Sequence, residues 1–232
     1  MSHGSVSSSI DERFQQVRDF LSLIKAREGT EQPSTSSDTK TLRGLFYVHL
    51  YSAFEFSINH SIQNTLQLAA QKKVKLNELE SRFLTVGLNH LFQAYPTIKS
   101  DKRWKKRIEI FDSISSDKTS EINNTLFGEY LQNIWTNTLI DVCTCICLPA
   151  SVLPSPRERQ YIDELVDTRN KVAHGRESAH NVGERTNGIE LETRFNIIKD
   201  VTDRVVNAQV DLIENSEFVI PESRSSYQTT HI

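Results

Sequence analysis

The chain has 232 residues, 37% of them hydrophobic and 25% charged, with a formal net charge of −3. That is apolar material enough for one sizeable core. No apolar run reaches the roughly 18 residues of a membrane span, and the charge balance excludes a polycation, so any nucleic acid has to be held by a local patch.

Glycine and proline are scarce, at 8 and 6, and apolar residues recur at helical spacing, which predicts an all-α bundle. Residues 1–9 are rich in Ser, lack an apolar signal core and are expected to be disordered, with no secretion and a cytoplasmic location. Ile10, Phe14, Val17, Leu21 and Ile24 stripe a first helix over about 10–28. After a polar loop to Ser37, Asp38 or Thr39 is expected to cap a long helix running to about Lys72. Its ladder is Phe46, Leu50, Phe54, Ile58, Ile62 and Leu66, and Glu55 interrupts apolar surroundings in line with Tyr51 and Asn59. The middle, about 75–150, reads as shorter helices with breaks near Pro96, Ser115 and Pro149. Ser155-Pro156 then opens a helix in the favoured way. A polar loop from Gly175 to Gly188 precedes a last helix striped by Leu191, Phe195, Ile198, Val205 and Leu212. The expectation is one helical domain over 10–215, built on two long helices and a short motif helix, and a tail over 216–232.

The chemistry concentrates in Arg169-Asn170-Lys171-Val172-Ala173-His174-Gly175. Ile162, Leu165, Arg169 and Val172 share one helical face, so the arginine lies on the apolar side of its own helix. A guanidinium there needs a partner, a cleft or a second chain. Asn170 and His174 are one turn apart, and Gly175 is the residue that lets the helix stop. Cleavage of an RNA phosphodiester needs a base near the 2′-hydroxyl, an acid near the leaving oxygen and positive charge on the phosphorane. Histidine moves protons near neutrality, arginine grips phosphate oxygens in a fork, and Asn170 could orient the histidine or donate to phosphate. One copy carries one such histidine, and a two-fold axis would supply the second.

The run from Asp163 to Gly175 resembles the signature of the HEPN superfamily: Arg, a polar residue, a few more residues, then His. The chain as a whole is similar to a prokaryotic branch with a tyrosine-rich first core helix, here Phe46 to Glu55. The resemblance implies an all-α HEPN-like bundle. It further implies a metal-independent endoribonuclease, without cofactor, that works as a homodimer. The RNA products would end in a 2′,3′-cyclic phosphate. By resemblance, Arg169 and His174 are the catalytic pair and Asn170 the polar position. Members serve as toxins with a cognate antitoxin or as anti-phage effectors with defence partners. Others are non-catalytic adaptors or regulatory subunits that bind protein, nucleotide or RNA, and this stands as the alternative. Toxins silenced by nucleotidylation carry a tyrosine two residues after the histidine; here Arg176 stands there.

Other features are weighed against plainer roles. Glu55 is expected to neutralise Arg169 or help hold the motif, with Tyr51 beside it. Lys99, Lys102, Arg103, Lys106 and Arg107 form one basic helical ridge, opposed by an apolar face of Trp104, Ile108 and Phe111. The ridge could track RNA phosphates or simply be solvated, and Lys171 and Arg176 are further candidates for phosphate contact. Cys143, Cys145 and Cys147 are odd in number, alternate, and have no matching set of ligands, so they are read as buried small hydrophobes, not as a disulfide framework or a metal site.

Overall fold

The computed structural model describes residues 3–30, 35–95 and 99–228. Its helices, in chain order, are α1 (His3–Thr30), α2 (Ser37–Gln71), α3 (Leu84–Gly87), α4 (Asn89–Ala94), α5 (Arg103–Ile114), α6 (Thr136–Cys145), α7 (Pro156–Ala173), α8 (Ala179–Glu184) and α9 (Gly188–Glu214). Among the described residues there is no strand, only isolated bridges between Lys75 and Thr119 and between Leu79 and Val219. None of the described helices is long and apolar enough to cross a membrane.

The core is the meeting of the three long helices with α7. Every member of the α2 ladder is buried, as are the expected stripes of α1 and α9, and Phe14 meets Phe195 edge-on at 6.0 Å between ring centroids. Helix α1 begins at His3, so the expectation of disorder over 1–9 does not hold for 3–9. Val6, one turn before Ile10, is buried on the same face and extends the stripe. The cap of α2 is Ser36, whose hydroxyl accepts from the Thr39 amide, in place of Asp38 or Thr39. Ser36 alone has the extended backbone a cap needs, with ψ at 156°.

The expected tail is largely built in. Phe218 and Val219 are buried, Phe218 packs on Phe83 at 4.8 Å, and backbone bonds join Glu80 to Phe218 and Ile220 to Glu78. Lys72, at the end of α2, donates its ammonium to the Ile213 carbonyl at 2.7 Å, to Ser216 Oγ at 2.8 Å and to the Tyr227 carbonyl at 2.8 Å. An ammonium has three hydrogens, and all three are used to strap residues 213–227 to the bundle. The last four residues, 229–232, lie outside the described residues, as do 31–34 and Pro96 with its two successors.

The stretch between Gly175 and Gly188 is also more ordered than a polar loop. It folds into α8, capped by Ser178, and presses against the start of α2. Two glycines make the crossing possible. A Cβ on Gly44 would overlap the Ala179 carbonyl, and one on Gly183 would overlap the Lys40 carbonyl. Backbones this close admit no side chain, so Gly183→Ala is expected to cost about 1–3 kcal/mol as an overpacking change. Gly29→Ala, where a Cβ meets nothing within 4 Å, is expected to be neutral or stabilising by up to about 1 kcal/mol. Urea unfolding of the two variants checks the contrast.

Candidate functional site

Helix α7 is specified by its ends. Ser155 accepts from the Glu158 amide while Glu158 reaches back to the Ser155 amide, with Pro156 in the first turn; this capping box satisfies donors that would otherwise be orphaned. At the other end the Gly175 amide donates to the Val172 carbonyl and the Arg176 amide to the Lys171 carbonyl. This is the Schellman pattern, which needs a left-handed residue after the cap, and Gly175 provides it with φ at +67°. His174 is therefore the C-cap itself, with its backbone amide held by the Asn170 carbonyl at 3.1 Å.

Ile162, Leu165 and Val166 bury the inner face of α7, and one turn on, Arg169 meets α2. Its guanidinium carbon lies 4.1 Å over the centre of the Tyr51 ring, a cation–π contact worth about 0.5–2 kcal/mol. Nη1 donates to Asn170 Oδ1 at 2.6 Å and, more weakly, to Asn133 Oδ1 at 3.5 Å. Nη2 is 3.7 Å from Glu55 Oε2, an ion pair without hydrogen-bond contact. The side chain keeps 21% exposure and Glu55 28%. The arginine is thus neither sealed in the core nor loose on the surface. Among the described residues no acceptor lies within hydrogen-bond reach of Nε or Nη2, so this edge of the fork makes no hydrogen bond within the protein.

Tyr51 is the buried base of the arrangement. Its hydroxyl accepts from the Ile134 amide at 3.1 Å and lies 3.1 Å from Glu55 Oε1 and 3.4 Å from the Gln132 carbonyl, sharing its proton between them. Asn59, one turn beyond Glu55, donates to the Glu55 and Leu131 carbonyls. Residues 131–134 are thereby pinned along α2, which is how Asn133 reaches Arg169. Burial pushes the Tyr51 phenol up to about 12. Burial likewise raises the Glu55 carboxyl above its ordinary range, against the pull of the Tyr51 hydroxyl and the Arg169 charge.

Of the expected site residues, the structure brings Arg169, Asn170, Tyr51 and Glu55 together. Asn170 Oδ1 accepts from Arg169, and among the described residues no hydrogen bond joins the Asn170 side chain to His174. His174 is exposed. It lies five residues beyond Arg169, which on a helix is about 7.5 Å along the axis and 140° around it. Arg176 is exposed just past the cap. Lys171 points elsewhere: it pairs with Asp167 at 2.6 Å and lines a cavity of about 210 Å³ with Tyr47, Glu164, Arg185 and Arg194 on the far flank of α7. Lys99, Lys102, Arg103, Lys106 and Arg107 are remote. Helix α5 packs on the 3₁₀ turn Leu76–Glu78, beyond the end of α2. Asn133 escapes sequence reasoning, since nothing in the spacing of a loop residue 36 positions from Arg169 marks it.

Cys143 is buried on α6, and Cys145 and Cys147 are half-buried. Burial pushes the Cys143 thiol up to about 12 and the Cys147 thiol to about 11, which suits packing more than nucleophilic chemistry.

The all-α bundle is the architecture expected of a HEPN domain. The family model of RiboL-PSP-HEPN matches residues 8–209, and the chain belongs to this family. Among curated proteins and among solved structures, none matches the chain.

Removing the Tyr51 hydroxyl orphans the buried Ile134 amide, so Tyr51→Phe is expected to cost about 1–3 kcal/mol at neutral pH. An unfolded phenol ionises near 10 while Tyr51 holds its proton to about 12. The unfolded state therefore sheds the proton first, and stability present below pH 10 is lost as pH rises towards 12. The urea midpoints of wild type and Tyr51→Phe are expected to converge over that interval.

Proposed function

We propose that the protein is a metal-independent endoribonuclease whose active site is completed by a second copy across a two-fold axis. The observation that carries the reading is the partly exposed Arg169, stacked on Tyr51 and aimed by Asn170 and Asn133, with one edge of its fork open beside the solvent-facing end of its helix. The ion pair with Glu55, at 3.7 Å, leaves Nη2 without a hydrogen bond, and the arginine side chain keeps 21% exposure.

In the reaction, the ribose 2′-hydroxyl attacks the adjacent phosphorus and the bond from phosphorus to the 5′-oxygen breaks. One neutral His174 accepts the 2′-proton, and the protonated imidazole of the partner subunit's His174 gives a proton to the leaving 5′-oxygen. Arg169 spreads charge from the phosphorane oxygens, an electrostatic task suited to a pre-oriented cation. The products are a 2′,3′-cyclic phosphate and a 5′-hydroxyl. Two imidazoles in opposite protonation states are needed, and one chain supplies one at this site, which is the argument for the dimer. Arg176, exposed two residues after His174, would make a phosphate contact, whereas Lys171 is engaged with Asp167. The proposed setting is a toxin–antitoxin or anti-phage system in the cytoplasm, with a cognate neutralising or defence partner.

The test is incubation of the purified protein with total RNA in chelator, with analysis of the product ends. Cleavage with cyclic phosphate ends is expected, lost by a factor of about 100 or more in His174→Ala and in Arg169→Ala. His174 is exposed, so its variant is expected to keep the wild-type unfolding midpoint. RNA binding without cleavage would favour the non-catalytic adaptor instead. Sedimentation that finds a strict monomer at assay concentration would remove the two-copy site.

A further inference from the structure

Helix α5 is amphipathic in the inverted sense. Trp104, Ile108 and Phe111 share one stripe, and they are 71%, 59% and 70% exposed. Ile110, on the other side, is the buried anchor. Large apolar groups collected in water on one stripe mark a docking surface more often than chance. Arg107 lies 4.7 Å over the Trp104 ring and 5.8 Å over the Tyr95 ring, and its Nε donates to the Tyr95 hydroxyl at 2.8 Å. The guanidinium is thereby held against the indole while most of the ring remains in solvent.

Charge around the stripe is lopsided. At 100° per residue, Arg103 and Arg107 of α5 fall on one flank of the stripe. Lys105 and Asp112 border the other flank, one cation and one anion. Lys106 turns towards the body of the protein and pairs with Glu109 at 3.0 Å. The expected basic ridge is therefore not a uniform solvated face opposite an apolar packing face. The aromatics point outward, with two arginines along one side of them and a lysine and an aspartate along the other.

We propose that this stripe is a stacking platform for single-stranded RNA, with bases on Trp104 and Phe111 and phosphates along Arg103 and Arg107. Exposed aromatic rings bordered by cations are what an unpaired strand requires, because its bases offer ring faces that a duplex keeps stacked. An anionic membrane fits less well, since Asp112 borders the stripe and would meet the headgroups. A second copy of this cationic helix would repel the first. The platform deepens the nuclease reading by naming the form of its RNA, and it rests on that reading only for the choice of RNA over DNA. By helix rise, α2 separates Glu55 from Gln71 by about 24 Å, so the platform is a second site, distinct from the motif and reached by the same strand.

The sequence contains two tryptophans, so Trp135→Phe leaves Trp104 as the sole indole reporter. Titration of that protein with a 2′-O-methyl uridine 12-mer, which lacks the nucleophilic hydroxyl, is expected to quench Trp104 fluorescence to saturation. Fluorescence anisotropy of the labelled 12-mer is expected to show binding weakened about tenfold or more in Trp104→Ala, largely retained in Trp104→Phe, and weakened in Arg107→Gln. Trp104 is exposed, so its removal is expected to leave the unfolding midpoint unchanged. Absence of quenching overturns the proposal, as does equal affinity for a duplex of the same length. It is equally overturned if phosphatidylglycerol vesicles shift Trp104 emission while the 12-mer does not, or if Trp104→Ala abolishes self-association without affecting RNA. Quenching by a protein that never cleaves RNA keeps the platform and removes the nuclease. Cleavage indifferent to Trp104 and Arg107 in both rate and 12-mer binding removes the platform alone.

Discussion

A fixed positive charge on the apolar side of α7 is the constraint around which the site is arranged. Such a charge has to be stabilised without being neutralised, and the Tyr51 ring does so, giving a polarisable face to the guanidinium while its own hydroxyl is anchored to the Ile134 amide. Glu55 sits close enough to balance the charge and too far to occupy its donors. Three separate parts of the chain, α2, the loop at 131–134 and α7, must register with one another for that to work, so the arginine's environment also reports on the assembly of the bundle.

The rest of the fold serves to hold α2 and α7 at that spacing. The glycine crossing of α8 over the start of α2 fixes the segment that follows the motif, and Gly175 delivers it there. At the same end, Glu28 binds both Arg43 and the Gly188 amide, tying α1, α2 and the first residue of α9 into one node. Lys72 does the same for the last described residues. Each tie is a charged group that satisfies several backbone or side-chain partners at once, so its desolvation is offset by more than a single bond.

Helix α5 stands apart because the same arguments fail on it. Helices α1, α2, α7 and α9 turn their apolar stripe inward, as periodicity predicts, while α5 turns Trp104, Ile108 and Phe111 to water and leaves Ile110 as its anchor. Periodicity identifies a stripe and its opposite, not which of them meets the body. That choice is made by neighbouring segments, here the turn at Leu76–Glu78 and the backbone bonds from Leu76 to Lys118 and Asn77 to Ser116.

What the amino-acid sequence determines on its own is the helical class, the three inward stripes, the ends of α7 and the identity of the motif residues, because each depends on contacts within four residues or on apolar spacing along one helix. Capping, the Schellman stop and the ladder from Phe46 to Leu66 are local matters. Only the tertiary structure decides that Asn133 joins Arg169, that the Asn170 carbonyl accepts from the arginine, that residues 3–9 and 217–228 belong to the body, and that α5 turns its apolar stripe outward. These depend on pairings between positions far apart in the chain, where close approach of two backbones or the satisfaction of a buried polar group chooses among faces that look equivalent in the sequence.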